Sequence, residues 1–277
     1  SVTLTADSDI TVNTGTTINI SPSNAVTLTF ESKGTTGSPS ETLFNPNVEI
    51  VSTGAPLSLV VTMRTGSSAR TAQAVLGNLK LTTNGGDFTV RGIVTYGSNG
   101  IELDGAAINT GAGNISLTGD ANGATVSTGI VHLTNSSLTT TSGDVTISGL
   151  VRNLNNNGAA AVLIENGASI QTSSGNVSIS GHIRDSSTGD YVTKIFDGAT
   201  IQSGGTLSIS GVREVSGRSV YLNAALESAG ALTVTGTTTN FTGILIDGGA
   251  LTTTASAGDV LLTANKRIAL DSANVSI

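Results

Sequence analysis

The stretch Gly113-Asn-Ile-Ser-Leu-Thr-Gly119 decides the fold. Two apolar residues flank a hydroxylated one and glycine closes both ends, which is the pattern of a short strand with one buried face. The phrase recurs as Gly86-Asp-Phe-Thr-Val-Arg-Gly92, Gly143-Asp-Val-Thr-Ile-Ser-Gly149 and Gly175-Asn-Val-Ser-Ile-Ser-Gly181. It continues as Gly205-Thr-Leu-Ser-Ile-Ser-Gly211 and Gly230-Ala-Leu-Thr-Val-Thr-Gly236, with a decayed copy at Gly258-Asp-Val-Leu-Leu-Thr-Ala264. The opening glycines lie about 25 to 32 residues apart, the spacing of a solenoid.

A second apolar phrase precedes each copy. Ile101-Glu-Leu103 and Ile108 lead into Gly113, and Val131-His-Leu133 and Leu138 lead into Gly143. Ile170, Ile201, Leu226 and Leu251 hold the later copies of that slot. The pairs Asp104-Gly105, Asn166-Gly167, Asp197-Gly198 and Asp247-Gly248 separate the apolar stretches, as residues suited to tight turns. Each unit therefore offers about three short strands and no helical period. Stacked units predict an all-β, right-handed parallel β-helix, with each strand about 4.8 Å from its counterparts in the coils above and below. Val, Ile and Leu are expected to point inward and Ser and Thr outward. A pair of β-sandwiches would instead need hairpins and longer strands.

Composition fits this reading. Of 277 residues, 3% are aromatic and 11% charged, against roughly 25% charged in an ordinary domain. The hydrophobic fraction of 37% excludes a disordered chain, and four prolines without a Gly-X-Y period exclude collagen. The net charge of -7 argues against nucleic acid or an anionic membrane as partner. Cysteine is absent, so disulfides and thiolate metal sites are excluded, and no apolar run reaches the length of a membrane helix. The start, Ser-Val-Thr-Leu-Thr, carries neither Met nor a basic leader, so the chain is expected to be part of a longer protein. Residues 81–277 form the regular repeats of one β-helix domain spanning 1–277. Residues 1–80 form less regular early coils, with a loop expected at about 31–47.

The Gly-[Asp/Asn]-apolar-[Ser/Thr]-apolar-[Ser/Thr]-Gly strands, with their Asp-Gly and Gly-Ala turns, resemble the repeats of filamentous-haemagglutinin-type exoproteins. The resemblance covers residues 85–277 well and the first 80 weakly, and autotransporter passenger domains have similar repeats. Asn45-Pro46-Asn47 matches one Asn-Pro-Asn motif of that family's secretion domain, without the others, and no role is carried over to it. The resemblance implies a secreted or surface-tethered bacterial rod, exported by two-partner secretion through an outer-membrane transporter. Such rods mediate attachment to host cells, other bacteria or biofilm polysaccharide, and contribute to virulence. The partner would be a glycan or a surface protein.

Candidates for chemistry are few, and neither an enzyme nor a cofactor is expected. His132 and His182 fall on different coils and read as exposed strand residues. Asp185 and Asp190 follow Arg184 in a loop and read as turn residues. Asp87, Asn114, Asp144, Asn176 and Asp259 could form a calcium ladder, but Thr206 and Ala231 interrupt the series, which favours turn caps. Threonine runs at 139–141, 237–239 and 252–254 could form an ice-binding array, but Gln171 and Gln202 occupy comparable places. Arg152, Arg184 and Arg213 follow the closing glycine by two or three residues on three coils. They would form a cationic column, either paired with acids or binding an anionic glycan group with Tyr191 and Tyr221 stacking on it. The longest insertions, 150–161, 182–193 and 212–219, follow the same strand and mark a recognition edge. Two rival functions remain, a purely structural spacer and a polysaccharide-degrading β-helix enzyme.

Overall fold

The computed structural model describes residues 1–34, 41–64, 74–94, 99–122, 129–152, 160–184, 191–196, 198–254 and 258–271. These residues form an all-β solenoid with every strand pair parallel and no helix. One sheet has ten strands, one from each coil, and holds the recurrent phrase. Val26–Ser32, Leu57–Arg64, Phe88–Val94, Ile115–Ala121 and Val145–Val151 are successive members. The other two strands of each coil form the remaining wall, as Gly129–Thr134 and Ser137–Thr140 do in one coil. In the later coils these two strands merge into long bent ones, Arg218–Ser228 and Thr242–Thr253.

Register follows the apolar pattern. Ile115, Leu117 and Gly119 pair with Val145, Ile147 and Gly149, which pair in turn with Val177, Ile179 and Gly181. These residues face a core of Val, Ile and Leu that runs the length of the rod, with Phe30, Phe44 and Phe88 at its N-terminal end. Past the closing glycines a second, smaller cluster forms from Ala121, Val151 and Ile183 with Ile130, Ala161 and Val192.

Both glycine rows exist because backbones meet there. A Cβ on Gly143 would overlap the carbonyl oxygen of Gly113 one coil away, and a Cβ on Gly149 would overlap that of Ala161. The turn pairs behave as their residues demand: Gly105, Asn166, Gly167, Gly198 and Gly248 all have positive φ, and Asp197 lies outside the described residues.

Two expectations change. The loop expected over 31–47 is shorter, since one strand runs to Ser32 and Thr42–Phe44 forms another. Nor do all the hydroxyls face outward. Thr110, Thr140 and Thr172 are buried, and each donates to the carbonyl of the opening glycine three residues on, at 2.7, 2.7 and 2.6 Å. A buried corner carbonyl needs a donor, and a short hydroxyl supplies it.

The Asp and Asn residues after the opening glycines do cap turns, but those of the next coil. Asp87 Oδ1 accepts from the Asn114 N–H at 2.8 Å, Asn114 Oδ1 from the Asp144 N–H at 2.9 Å, and Asp144 Oδ1 from the Asn176 N–H at 2.8 Å. The Asn114 and Asn176 amides also donate to the carboxylates of Asp87 and Asp144, at 3.2 and 3.1 Å. Alternating acid and amide keeps like charges from stacking. Asn114→Asp, which puts three carboxylates in a row, is expected to cost about 1–2 kcal/mol at neutral pH. The crowded carboxylate would hold its proton to higher pH in the folded state than in the unfolded one. The penalty is therefore absent in acid and grows as pH rises through the carboxylate range. Urea melts at acidic and neutral pH check this, and equal losses at both would refute the charge argument.

Candidate recognition groove

The outer face of the ten-stranded sheet carries a groove of about 350 Å³. It follows Gly119, Gly149 and Gly181, between the hydroxyl row Thr118, Ser148, Ser180, Ser210 and the row Asp120, Leu150, His182, Val212. Both rows arise from period two: they are the outward members of strands whose inward members fill the core. The hydroxyls offer donors and acceptors, and Leu150 and Val212 offer apolar contact.

Charged pairs edge this groove. Arg152 is held by Asp120 through Nε to Oδ1 and Nη2 to Oδ2, both at 3.0 Å. That hydrogen bonding, followed by the attraction of the carboxylate, pushes the Arg152 guanidinium above its ordinary pKa. His182 Nε2 lies 2.7 Å from Glu214 Oε1, which is also 3.7 Å from Arg184 Nε. The acids anticipated for these arginines are present, drawn from neighbouring coils.

Arg213 does not join this column. It pairs with Ile183, one residue before Arg184, so its side chain continues the inward row Ala121, Val151, Ile183. It is 1% exposed, with Nε donating to the Ser216 carbonyl at 2.9 Å. Glu214 takes the outward place instead: its N–H bonds to Ile183 O as the Arg184 N–H bonds to Val151 O. The outward column reads Arg152, Arg184, Glu214, which removes the like-charge stack that three arginines would have made.

The tyrosines meet each other. Tyr191 is 4% exposed, its ring 5.1 Å from that of Tyr221 and the Arg218 guanidinium 5.3 Å from its centre. Tyr221 also packs on Phe196 at 5.2 Å, and its hydroxyl donates to Asp247 Oδ2 at 3.0 Å. Tyr191 is thereby covered as a stacking surface, while Tyr221 is half-buried.

His132 is buried, contrary to its expected exposure. It pairs with Glu102 on one side and Leu163 on the other, and its Nε2 lies 3.0 Å from Glu165 Oε1. Among the described residues, no group of three His, Cys, Asp or Glu could hold a metal ion. Asp185 and Asp190, with insertion residues 153–159 and 185–190, lie outside the described residues. The threonine runs form no flat array, because Thr140 and Thr238 are buried and the outward row reads Thr139, Gln171, Gln202, Glu227, Thr252.

No protein-family model, no curated protein and no solved structure matches this chain.

Proposed function

We propose that the chain is the rod of a secreted or surface-displayed bacterial adhesin, non-catalytic, and exported through an outer-membrane transporter. It attaches its cell to a glycan or to a surface protein of another cell. The observation that carries this reading is the groove itself. It crosses several coils along the rod axis, with hydroxyls on one side and apolar and charged side chains on the other. That combination suits an extended polar polymer with apolar ring faces. The absence of cysteine and the nearest-neighbour fold also suit a chain that must cross a membrane pore unfolded.

Beads coated with the chain are expected to adhere to epithelial cells, bacteria or biofilm polysaccharide, and Arg152→Ala with Arg184→Ala to reduce that adhesion severalfold. Beads that adhere no better than blank ones would defeat this reading. The spacer reading draws on a specific observation, since Asp120 and Glu214 neutralise the two outward arginines. Uniformly negative adhesion would favour it. Release of reducing ends from acidic polysaccharides would favour the enzyme, and none is expected.

A further inference from the structure

The rod is open at both ends. Val2–Ala6 is the first strand of the ten-stranded sheet and Val260–Ala264 the last. In the remaining wall, Ile10–Val12 pairs with Thr42–Phe44 alone and Arg267–Leu270 with Thr242–Thr253 alone, among the described residues. Each of these four strands therefore leaves one edge of backbone donors and acceptors outside any ladder. Native sheets blunt such edges with charge or proline, and neither Val2–Ala6 nor Val260–Ala264 contains either. Side chains on these strands continue the core rows into solvent. Val2 and Leu4 pair with buried Leu28 and Phe30, and Ile268 and Leu270 with buried Ile244 and Ile246, yet they are 59%, 48%, 41% and 55% exposed. At the N-terminal end a hollow of about 600 Å³ opens among Val2, Leu4, Ile10, Val12, Ile18 and Ile20.

The two ends fit each other. When Val260 is set on Val2, Leu262 falls on Leu4, Ala264 on Ala6, Ile268 on Ile10 and Leu270 on Val12, with no residue inserted or skipped. All of these lie on inward rows, as their strand partners show. Such agreement is not automatic. Gly236 and Ile244, the partners of Ala264 and Ile268, stand further apart in sequence, so turn length varies even between adjacent coils. Strand direction is common to all coils, so the junction is parallel like the pairs inside the rod. Charge agrees too. The matched turns are Asn265-Lys266-Arg267 on one face and Asp7-Ser8-Asp9 on the other, all exposed. Residues 1–32 hold Asp7, Asp9 and Glu31 and no lysine or arginine, and Lys33, beside Asp7 in register, lies 3.8 Å from Glu31. Asp259 and Asp271 fall beyond the far ends of the two C-terminal strands, outside the matched turn.

We propose that the two end faces bind each other: the C-terminal coil of one copy stacks on the N-terminal coil of the next, and rods join head to tail into a fibre. Apolar contact and main-chain bonds hold the joint, between Val260–Ala264 and Val2–Ala6 and between Arg267–Leu270 and Ile10–Val12. Lys266 and Arg267 opposite Asp7 and Asp9 set its direction and register, since exposed pairs add little affinity but disfavour the meeting of like faces. A contact between two different faces at opposite ends of a rod does not close on itself, so growth has no fixed stop. The proposal goes beyond the adhesive reading and does not rest on it, because a spacer would join in the same way.

The test is sedimentation of the 277-residue chain over a range of concentrations. Its mean mass is expected to rise from 27.5 kDa without levelling at any multiple. Leu4→Arg blocks one face and Leu270→Arg the other. Both side chains reach solvent in the single chain, so the fold tolerates the charge, whereas a joint would bury it unpaired. Each variant alone is expected to associate about tenfold or more weakly than the parent. Mixed in equal amounts they should form dimers and stop, since only one open face of each kind remains. Lys266→Glu with Arg267→Glu lies in an exposed turn outside the core and should weaken association about tenfold at low salt and less at high salt. Circular dichroism checks each fold, and if a leucine variant fails that check the charge variant decides. A mass of one chain at every concentration overturns the proposal and leaves both faces to other coils. Undiminished growth of the blocked variants places the contact elsewhere. A parent that stops at dimers, or a mixture that associates no better than its parts, refutes head-to-tail joining.

Discussion

Gly149→Ala is expected to destabilise the solenoid by about 4 kcal/mol, a loss reserved for substitutions that force backbones apart. The added Cβ would overlap the Ala161 carbonyl oxygen and stand 2.5 Å from its carbon, so no side-chain rotation relieves it. Gly149 pairs with Gly119 and Gly181, so a shift there disturbs the corner of both neighbouring coils. Coils contact only their neighbours, and damage to a central one is therefore expected to split a single urea transition into two, as the halves unfold separately. Gly77→Ala provides the contrast, since its nearest neighbour would be the Phe44 carbonyl oxygen at 3.7 Å, an ordinary contact. It should change stability by less than about 0.5 kcal/mol. Comparable losses in the two variants would show that close approach does not fix the glycine row.

The same glycines explain what could be read in the sequence. A strand bounded by glycines at points of close approach repeats visibly, and period two then assigns each side chain to a face. Asp87, Asn114, Asp144 and Asn176 were legible as turn caps, but their bonds cross from coil to coil, and only the stacking direction reveals that. The buried hydroxyls had a signal that composition hides: Thr83, Thr110, Thr140 and Thr172 each stand three residues before an opening glycine. Tyr191 and Tyr221 show the complementary limit. Both were offered as stacking partners for a glycan, but whether aromatic rings await a ligand or stack on each other depends on contacts that spacing does not contain.

Arg213→Ala is expected to cost about 3 kcal/mol of stability and to leave polymer binding along the outer groove unchanged. A one-residue difference decides this: Arg152 and Arg184 stand three residues past their closing glycines and Arg213 two, and one residue reverses the face. Its stem fills the place that Val151 and Ile183 fill in earlier coils, and its Nε satisfies the Ser216 carbonyl. Truncation empties that volume and leaves the carbonyl without its donor, and the two losses add. Arg213→Met restores the stem without the guanidinium and should cost about 1 kcal/mol, the share of the hydrogen bonds. Gly217 is part of the same device. A side chain there would overlap Arg213 Nε, and its φ of 147° already lies where other residues are strained, so Gly217→Ala should approach the cost of removing the arginine. Thermal and urea unfolding of the three variants, beside adhesion of coated beads, separates the two roles. Loss of binding with unchanged stability in Arg213→Ala would return this arginine to the surface. The ordering Ala worst, Met mild and binding intact would place it in the frame of the rod, where a cation standing in an aliphatic row is held by a carbonyl and a bare turn.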